Sequence, residues 1–326
     1  MFVKRVSASF TATLFCLILF TSCANSTSSI PAPSSTPSST PTPTRITPIS
    51  PSATPTLDAT LTNTPDTTPT HYSSKILLSG VGRPDDLAFD QQGHLPFSDF
   101  YNGTISRLNA NGSVTNIVRG LAGPEGLVVL SNGTMIIAEQ RTNRILTLAP
   151  GSKSLMVLRA IPGTPGTAPC KDGIDGIALD ATTNTLIVPD SPTGNVYRLS
   201  LDGKKLSLIT SGIVRPVGAV VDAQGTIYVA DECGGAVVRI TPDGRSTRIT
   251  GFGKPDDVAL DHHGNLLLID LLPSVHALIR IRQSTGKHEI LASKGFIEPQ
   301  GLVIDENDNI YVSDDYANKI VEFKPL

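Results

Sequence analysis

One phrase recurs six times along the chain, and a repeat of this length limits the fold more than any other feature of the sequence. The first three copies read Arg83-Pro84-Asp85-Asp86-Leu87-Ala88-Phe89-Asp90, Gly123-Pro124-Glu125-Gly126-Leu127-Val128-Val129 and Gly173-Ile174-Asp175-Gly176-Ile177-Ala178-Leu179-Asp180. The others are Arg215-Pro216-Val217-Gly218-Ala219-Val220-Val221-Asp222, Lys254-Pro255-Asp256-Asp257-Val258-Ala259-Leu260-Asp261 and Glu298-Pro299-Gln300-Gly301-Leu302-Val303-Ile304-Asp305. The proline position falls at 84, 124, 174, 216, 255 and 299, giving spacings of 40, 50, 42, 39 and 44 residues. A turn such as Asp222-Ala223-Gln224-Gly225 follows, then a β-rich run closed by an acid, Thr226 to Asp231. A third run, Ala236 to Ile240, a Pro242-Asp243-Gly244 turn and a fourth run, Ser246 to Thr250, complete the unit. Four short strands per unit, joined by turns that need positive φ, make one propeller blade. The sequence therefore predicts an all-β, six-bladed β-propeller over residues 72–326. The sixth copy runs out after its third strand, near Ile320 to Phe323, and Lys75-Ile76-Leu77-Leu78 ahead of the first copy supplies the missing one. Closure by this N-terminal strand removes an open sheet edge.

Composition narrows the partners. With 28 Gly, 25 Pro and 17% charged residues, the chain is poor material for a helical bundle. The lack of Trp argues against WD40-type repeats. A net charge of −3 gives nucleic acid no basic footprint, so none is expected as a partner, and a monomer is expected.

Ahead of the repeat the chain changes character. Lys4 and Arg5 precede an apolar run, Phe10 to Phe20, too short to span a bilayer and suited to the core of a signal peptide. It ends in Phe20-Thr21-Ser22-Cys23, which resembles a bacterial lipobox. The resemblance implies cleavage after residue 22 and lipidation of Cys23; the alternative is an ordinary secretory signal with an incidental Cys. Residues 24–71 are almost entirely Ser, Thr, Pro, Ala and Asn, with Arg45, Asp58 and Asp66 as the only charges. Such a stretch cannot bury enough apolar surface to offset the entropy of ordering. The expected organisation is a lipoprotein signal peptide over 1–22, a disordered tether over 23–71 and the propeller over 72–326. That makes an exported, bacterial cell-envelope lipoprotein, held to the membrane through its lipid anchor only. Cys170 lies in the loop leading into blade three and Cys233 between the second and third strands of blade four. Both loop classes open on one face of a propeller and these blades are neighbours, so an exported protein should join them in a disulfide, two free thiols being the alternative.

The phrase Arg215-Pro216-Val217-Gly218, followed by Gly225-Thr226-Ile227-Tyr228-Val229-Ala230-Asp231, resembles an NHL repeat. The layout over about residues 74 to 324 is similar to the senescence-marker-protein/gluconolactonase family, also six-bladed. The first resemblance implies binding of proteins, RNA or glycans. The second implies a divalent metal on the central axis, with ligands from the loop leading into each innermost strand. The matching positions are Asp85, Glu125, Asp175, Val217, Asp256 and Gln300. Five of them, all but Val217, offer carboxylate or amide oxygens, which suit a hard cation, Ca²⁺ before Mg²⁺. Val217 leaves one side without a ligand, and the family's Asn-Gly and Glu-Gly-Pro-x-Trp motifs are absent. On six-fold geometry alone these positions aim at one axial point, where carboxylates repel unless a cation, protons or water intervene. Asp86 and Asp257 add to the crowding. The alternative is that these acids cap backbone N–H groups or face solvent.

Further candidates surround the ring. Asp99, Glu139, Asp190, Asp231, Asp270 and Asp314 close the second strand in every copy, which points to a structural role shared by all blades, accepting hydrogen bonds from the next tight loop. His94, His262 and His263 fall on the opposite face. His276 sits in a loop on the ring's face, and because lyases typified by virginiamycin B lyase use an axial His, it is a candidate acid/base, though at no matching motif. Arg83, Arg215 and Lys254 precede axial positions; they neutralise the acids, bind an anion or are solvated rim charges. The insertion Ile161 to Gly173 lies over the ring as a specificity loop or a plain connector. Two functions follow: a membrane-tethered module binding a small molecule, glycan or peptide on its axial face with a divalent cation, or a metal-dependent, gluconolactonase-like lactone or ester hydrolase.

Overall fold

Proline has no N–H to lose, so it can open a strand opposite the end of its neighbour without orphaning a ladder donor. In the computed structural model, which describes residues 71–272 and 274–326, it does so in five copies. Pro84 faces Asp99, Pro124 faces Glu139, Pro216 faces Asp231, Pro255 faces Asp270 and Pro299 faces Asp314. In each case pairing resumes three residues later, at Leu87, Leu127, Ala219, Val258 and Leu302. This bulge takes the two residues after the proline out of the ladder and frees them for the axis.

The strands form six four-stranded antiparallel sheets, the blades of the expected propeller. Blade 1 runs outward through Pro84–Leu87, Leu95–Asp99, Thr104–Leu108 and Val114–Arg119. Blades 2, 4 and 5 repeat it from Pro124–Val129, Pro216–Val221 and Pro255–Leu260. Blade 3 begins late, at Ala178–Asp180. There Ile174 stands in place of proline, and its N–H donates to Asn143 Oδ1 at 2.7 Å instead. Blade 6 comprises Pro299–Ile304, Ile310–Asp314 and Lys319–Pro325, and Tyr72–Ser79 is its outermost strand. Tyr72 pairs with Pro325 and Ser79 with Lys319, so the N-terminal strand closes the ring as the sequence predicts, over a longer span than the four residues read from it. The expected signal peptide, Cys23 and the tether through residue 70 lie outside the described residues. Among the described residues no helix is long and apolar enough to cross a membrane.

The recurring acids tie the blades shut. Asp99 Oδ2 accepts the N–H of Arg83 at 3.0 Å and Oδ1 that of Asn102 at 2.9 Å. Asp231 does the same for Arg215 and Gly234, Asp270 for Lys254 and Leu272, and Asp314 for Glu298 and Ala317. Each carboxylate thus satisfies both the loop after its own strand and the backbone leading into the innermost strand. Apolar residues fill the wedges between blades: Val217, Tyr228 and Val237 of blade 4 pack with Val258, Leu266 and Leu268 of blade 5. Cys170 and Cys233 are joined by a disulfide, with Cα atoms 6.1 Å apart, which fixes the 161–173 insertion to blade 4.

Candidate functional site

Freed by the bulges, Asp85, Glu125, Asp256 and Gln300 meet Asp175 around one cavity of about 250 Å³ at the axial mouth. The sixth position does not take part. Val217 is fully buried in the wedge between blades 4 and 5, which is where an apolar side chain next to the axis is most stable. Below the ring the passage shrinks to a crevice of about 10 Å³ among Asp86, Asp257, Gly176, Gly218 and Gly301. Glycine is required there by close approach. A Cβ on Gly218 would lie 2.5 Å from Asp257 Oδ1 and 2.7 Å from the Asp256 carbonyl oxygen. The mouth is therefore a blind cup.

Asp86 and Asp257 are pinned as structural groups. Asp86 accepts the N–H of its neighbour Leu87 at 2.7 Å and of Leu127 in blade 2 at 2.6 Å. Asp257 likewise accepts from Val258 and from Leu302 in blade 6, both at 2.8 Å. Each staples its blade to the next, so for these two acids the backbone-capping alternative holds.

The ring acids are different. Glu125 and Asp256 are only 7% and 6% exposed, and the Asp85 and Asp256 carboxyls accept no hydrogen bond from any described residue. Burial, and after it the charge of Asp175, holds Asp85, Glu125 and Asp256 well above the usual carboxyl range. At the crevice, burial lifts Asp86 to about 7 against the opposing pull of the Leu127 and Leu87 N–H groups.

One cation is built in. Arg215, just ahead of Pro216, reaches over the ring with its side chain 13% exposed. Its Nη2 lies 3.2 Å from Asp175 Oδ2 and 2.9 Å from Asp172 Oδ2, and Nη1 is paired with Glu232. Arg215 is thus no solvated rim charge. The blade whose ring position is apolar supplies the ring's counter-cation from two residues earlier. Arg83 is not a solvated charge either: its guanidinium carbon lies 3.5 Å from the Tyr101 ring centroid and 3.8 Å from that of Tyr316. Lys254 is half-exposed, 3.4 Å from Glu232 Oε1.

Most of the lining residues that sequence reasoning missed follow one rule, Glu298 and Asp172 being outside it. Phe100, Gln140, Glu232, Leu271 and Asp315 all line the mouth, and each comes directly after a strand-closing acid. Tyr101 and Tyr316 come one residue later. The recurring acid was the signal; its successors form a second ring above the first. Asp172 arrives from the 161–173 insertion, which therefore contributes to the site. His276 does not line the cavity; it sits in a left-handed turn (φ 37°) with its N–H donating to the Leu272 carbonyl at 3.0 Å. Among the described residues no three His, Cys, Asp or Glu side chains stand together closely enough to hold a metal ion.

No family model matches the chain. Solved structures share its architecture. A gluconolactonase from Xanthomonas campestris is similar with a TM-score of 0.65 at 15% identity, over 78% of this chain and 89% of that one. Catalytically inactive virginiamycin B lyase from Staphylococcus aureus with quinupristin gives 0.61 at 15% identity, over 78% of this chain and 100% of that one. A nidogen/laminin complex gives 0.60 at 18%, over 70% of this chain and 88% of that one. At such identities the shared property is the six-bladed propeller.

Proposed function

We propose that this propeller is a binding module whose axial cup takes a small ligand carrying positive charge, with a divalent cation, Ca²⁺ before Mg²⁺, among its occupants. The observation behind this reading is the pair of carboxyls at Asp85 and Asp256, which face the cup without a hydrogen-bond donor while Arg215 supplies one charge against four ring acids. Burying such groups costs free energy unless a charge partner or protons accompany them. The donor set suits a hard cation in kind, since every ring group is an oxygen donor and none is Cys or His. Asp85, Glu125 and Asp256 stand too far apart to share an ion as they lie, so they would have to draw inward to hold the cation, with Gln300 assisting, and Asp175 is shared with Arg215. Small molecules, glycans and peptides that carry an amine or a bound cation fit the same cup.

The Cys170–Cys233 bond, the short apolar run before Cys23 and the Ser/Thr/Pro-rich stretch support an exported module tethered by lipid at Cys23. Moving a Cys23→Ala variant from the membrane fraction to the medium, or leaving it unprocessed, is the expected result; unchanged partitioning would reject the anchor.

A second reading, lactone or ester hydrolysis, draws on the raised carboxyl groups, because a carboxyl group raised above its usual range is a stronger general base once ionised. A bound cation would supply polarisation of the carbonyl. The deciding experiment titrates purified protein with Ca²⁺ and Mg²⁺ by calorimetry and thermal melting, then assays a lactone panel. Binding without turnover supports the module. Millimolar cation that neither binds nor raises the melting temperature removes the cation from the proposal.

A further inference from the structure

At the lip of the cup two tyrosines and an aspartate hold a guanidinium that belongs to the protein itself. The Tyr101 and Tyr316 rings stand at 81° to one another with centroids 6.4 Å apart and hydroxyls 3.4 Å apart. Arg83 fills the corner between their faces, and its Nη2 donates to Asp315 Oδ2 at 3.1 Å. Phe100, the third aromatic side chain of the cup, carries a second arginine, with the Arg141 guanidinium carbon 4.4 Å from its centroid. Every aromatic ring lining the mouth is thus covered by an arginine.

We propose that the corner formed by Tyr101, Tyr316 and Asp315 is a receptor for an organic cation, a guanidinium or alkylammonium group, and that Arg83 is an internal occupant which such a ligand replaces. The proposal rests on the reading of the cup as a site for positive charge and names the chemistry of the ligand. Aromatic faces attract weakly hydrated, delocalised cations, whereas a divalent metal ion needs a shell of oxygens. Two faces and a carboxylate meet the first requirement. The occupant is held incompletely, because Arg83 Nε is buried with no acceptor, and an unmet buried donor is costly. Its exchange needs no movement of the fold. The Arg83 N–H is fixed to Asp99 at 3.0 Å, so the side chain can swing out from an anchored backbone. Tyr101 and Tyr316 are 47% and 48% exposed, so a ligand can reach both rings from solvent.

The test measures binding of methylguanidinium and tetramethylammonium to the purified protein by calorimetry at constant ionic strength, with folding checked by circular dichroism. Arg83→Ala should bind at least one of them roughly tenfold more tightly than the wild type, as removal of an internal competitor requires. Adding Tyr316→Ala should abolish that gain. Arg83→Gln, which keeps part of the stem, gives a second occupant-free protein should the alanine variant fold poorly. If neither Arg83 variant binds more tightly, or the gain survives loss of Tyr316, the proposal is wrong. A Ca²⁺ titration run in parallel separates the two readings. Ca²⁺ binding without organic-cation binding overturns this inference alone, and the converse removes Ca²⁺ from the cup while leaving the aromatic corner standing.

Discussion

Arg215 crosses from blade 4 to Asp175 of blade 3, its Nη2 3.2 Å from the carboxylate, at the point where Val217 leaves the axial ring without an acid. The two features belong to one strand: a guanidinium directed at the axis replaces a ligand that the same strand does not provide. Arg215→Ala should therefore leave Asp175 uncompensated and Glu232 with Lys254 alone, and destabilise the fold by about 3 kcal/mol, the usual cost of removing one partner from a buried ion pair. For a domain of this size that is a fall of roughly 6–12 °C in melting temperature. Ca²⁺ should restore more stability to the variant than to the wild type, because it enters a cup with one less positive charge. Calorimetric melts with and without cation check both statements, and Arg215→Lys should fall between.

Stability should pass through a maximum on the acid side of neutrality. Asp85, Glu125, Asp256 and Asp257 titrate well above their unfolded values and Asp86 at about 7. Between the unfolded carboxyl range near pH 4 and these raised values the native state binds more protons than the unfolded chain, so stability falls as pH rises. Acidification from pH 7 to 5 should then raise the melting temperature. The opposite sign applies lower down. Hydrogen bonds from Arg282 and Arg280 hold Glu289 at about 2, and Asp180, bonded to Thr182 and Arg198 against the effect of its burial, also lies at about 2. Their contribution is present above pH 4 and is lost as pH drops towards 2. A melting temperature that only falls from pH 7 to pH 5 would contradict the charge state described for the cup.

The blades were legible because each repeat carries its own punctuation. Proline, the acid opposite it and the glycine turns fix strand starts and ends locally, and the missing fourth strand of the last copy pointed to the N-terminal one. The ring positions Asp85, Glu125, Asp175, Asp256 and Gln300 followed from the same register. Arg215 was harder to place, since a cation before proline reads the same whether it faces solvent or the axis; its direction depends on Asp172 in the insertion and Glu232 across the loop. Tyr101 and Tyr316 likewise meet only because blades 1 and 6 are neighbours after closure. Contacts between blades, unlike turns within them, have no signature in a single repeat.

Reduction of Cys170–Cys233 should cost stability and disturb the cup at once. The bond spans 63 residues of sequence, and cross-links of this loop length contribute about 2–4 kcal/mol. It also anchors the segment that carries Asp172 to Arg215, two residues after Cys170. The Cys170→Ala, Cys233→Ala double variant should melt lower than wild type and show altered cation affinity, whereas Asp172→Asn should alter affinity with a smaller thermal effect. Equal affinities in all three proteins would separate the insertion from the site.

The two acidic rings should respond to mutation in opposite ways. Asp314 is fully buried and accepts the N–H groups of Ile297, Glu298 and Ala317 at 3.0, 2.9 and 3.3 Å. Asp314→Ala leaves these donors without an acceptor where blade 6 starts and should cost about 3 kcal/mol even with some water entering. Asp314→Asn keeps one acceptor oxygen and should recover part of the loss. Gln300, at the cup, has no hydrogen bond from a described residue to lose, so Gln300→Ala should stay within about 1 kcal/mol of wild type. Its effect should appear in cation affinity instead. Urea unfolding of the three variants, paired with cation titration of each folded protein, gives the comparison. Were Gln300→Ala to unfold as readily as Asp314→Ala, the axial ring would be part of the scaffold, and its assignment as a binding surface would fail.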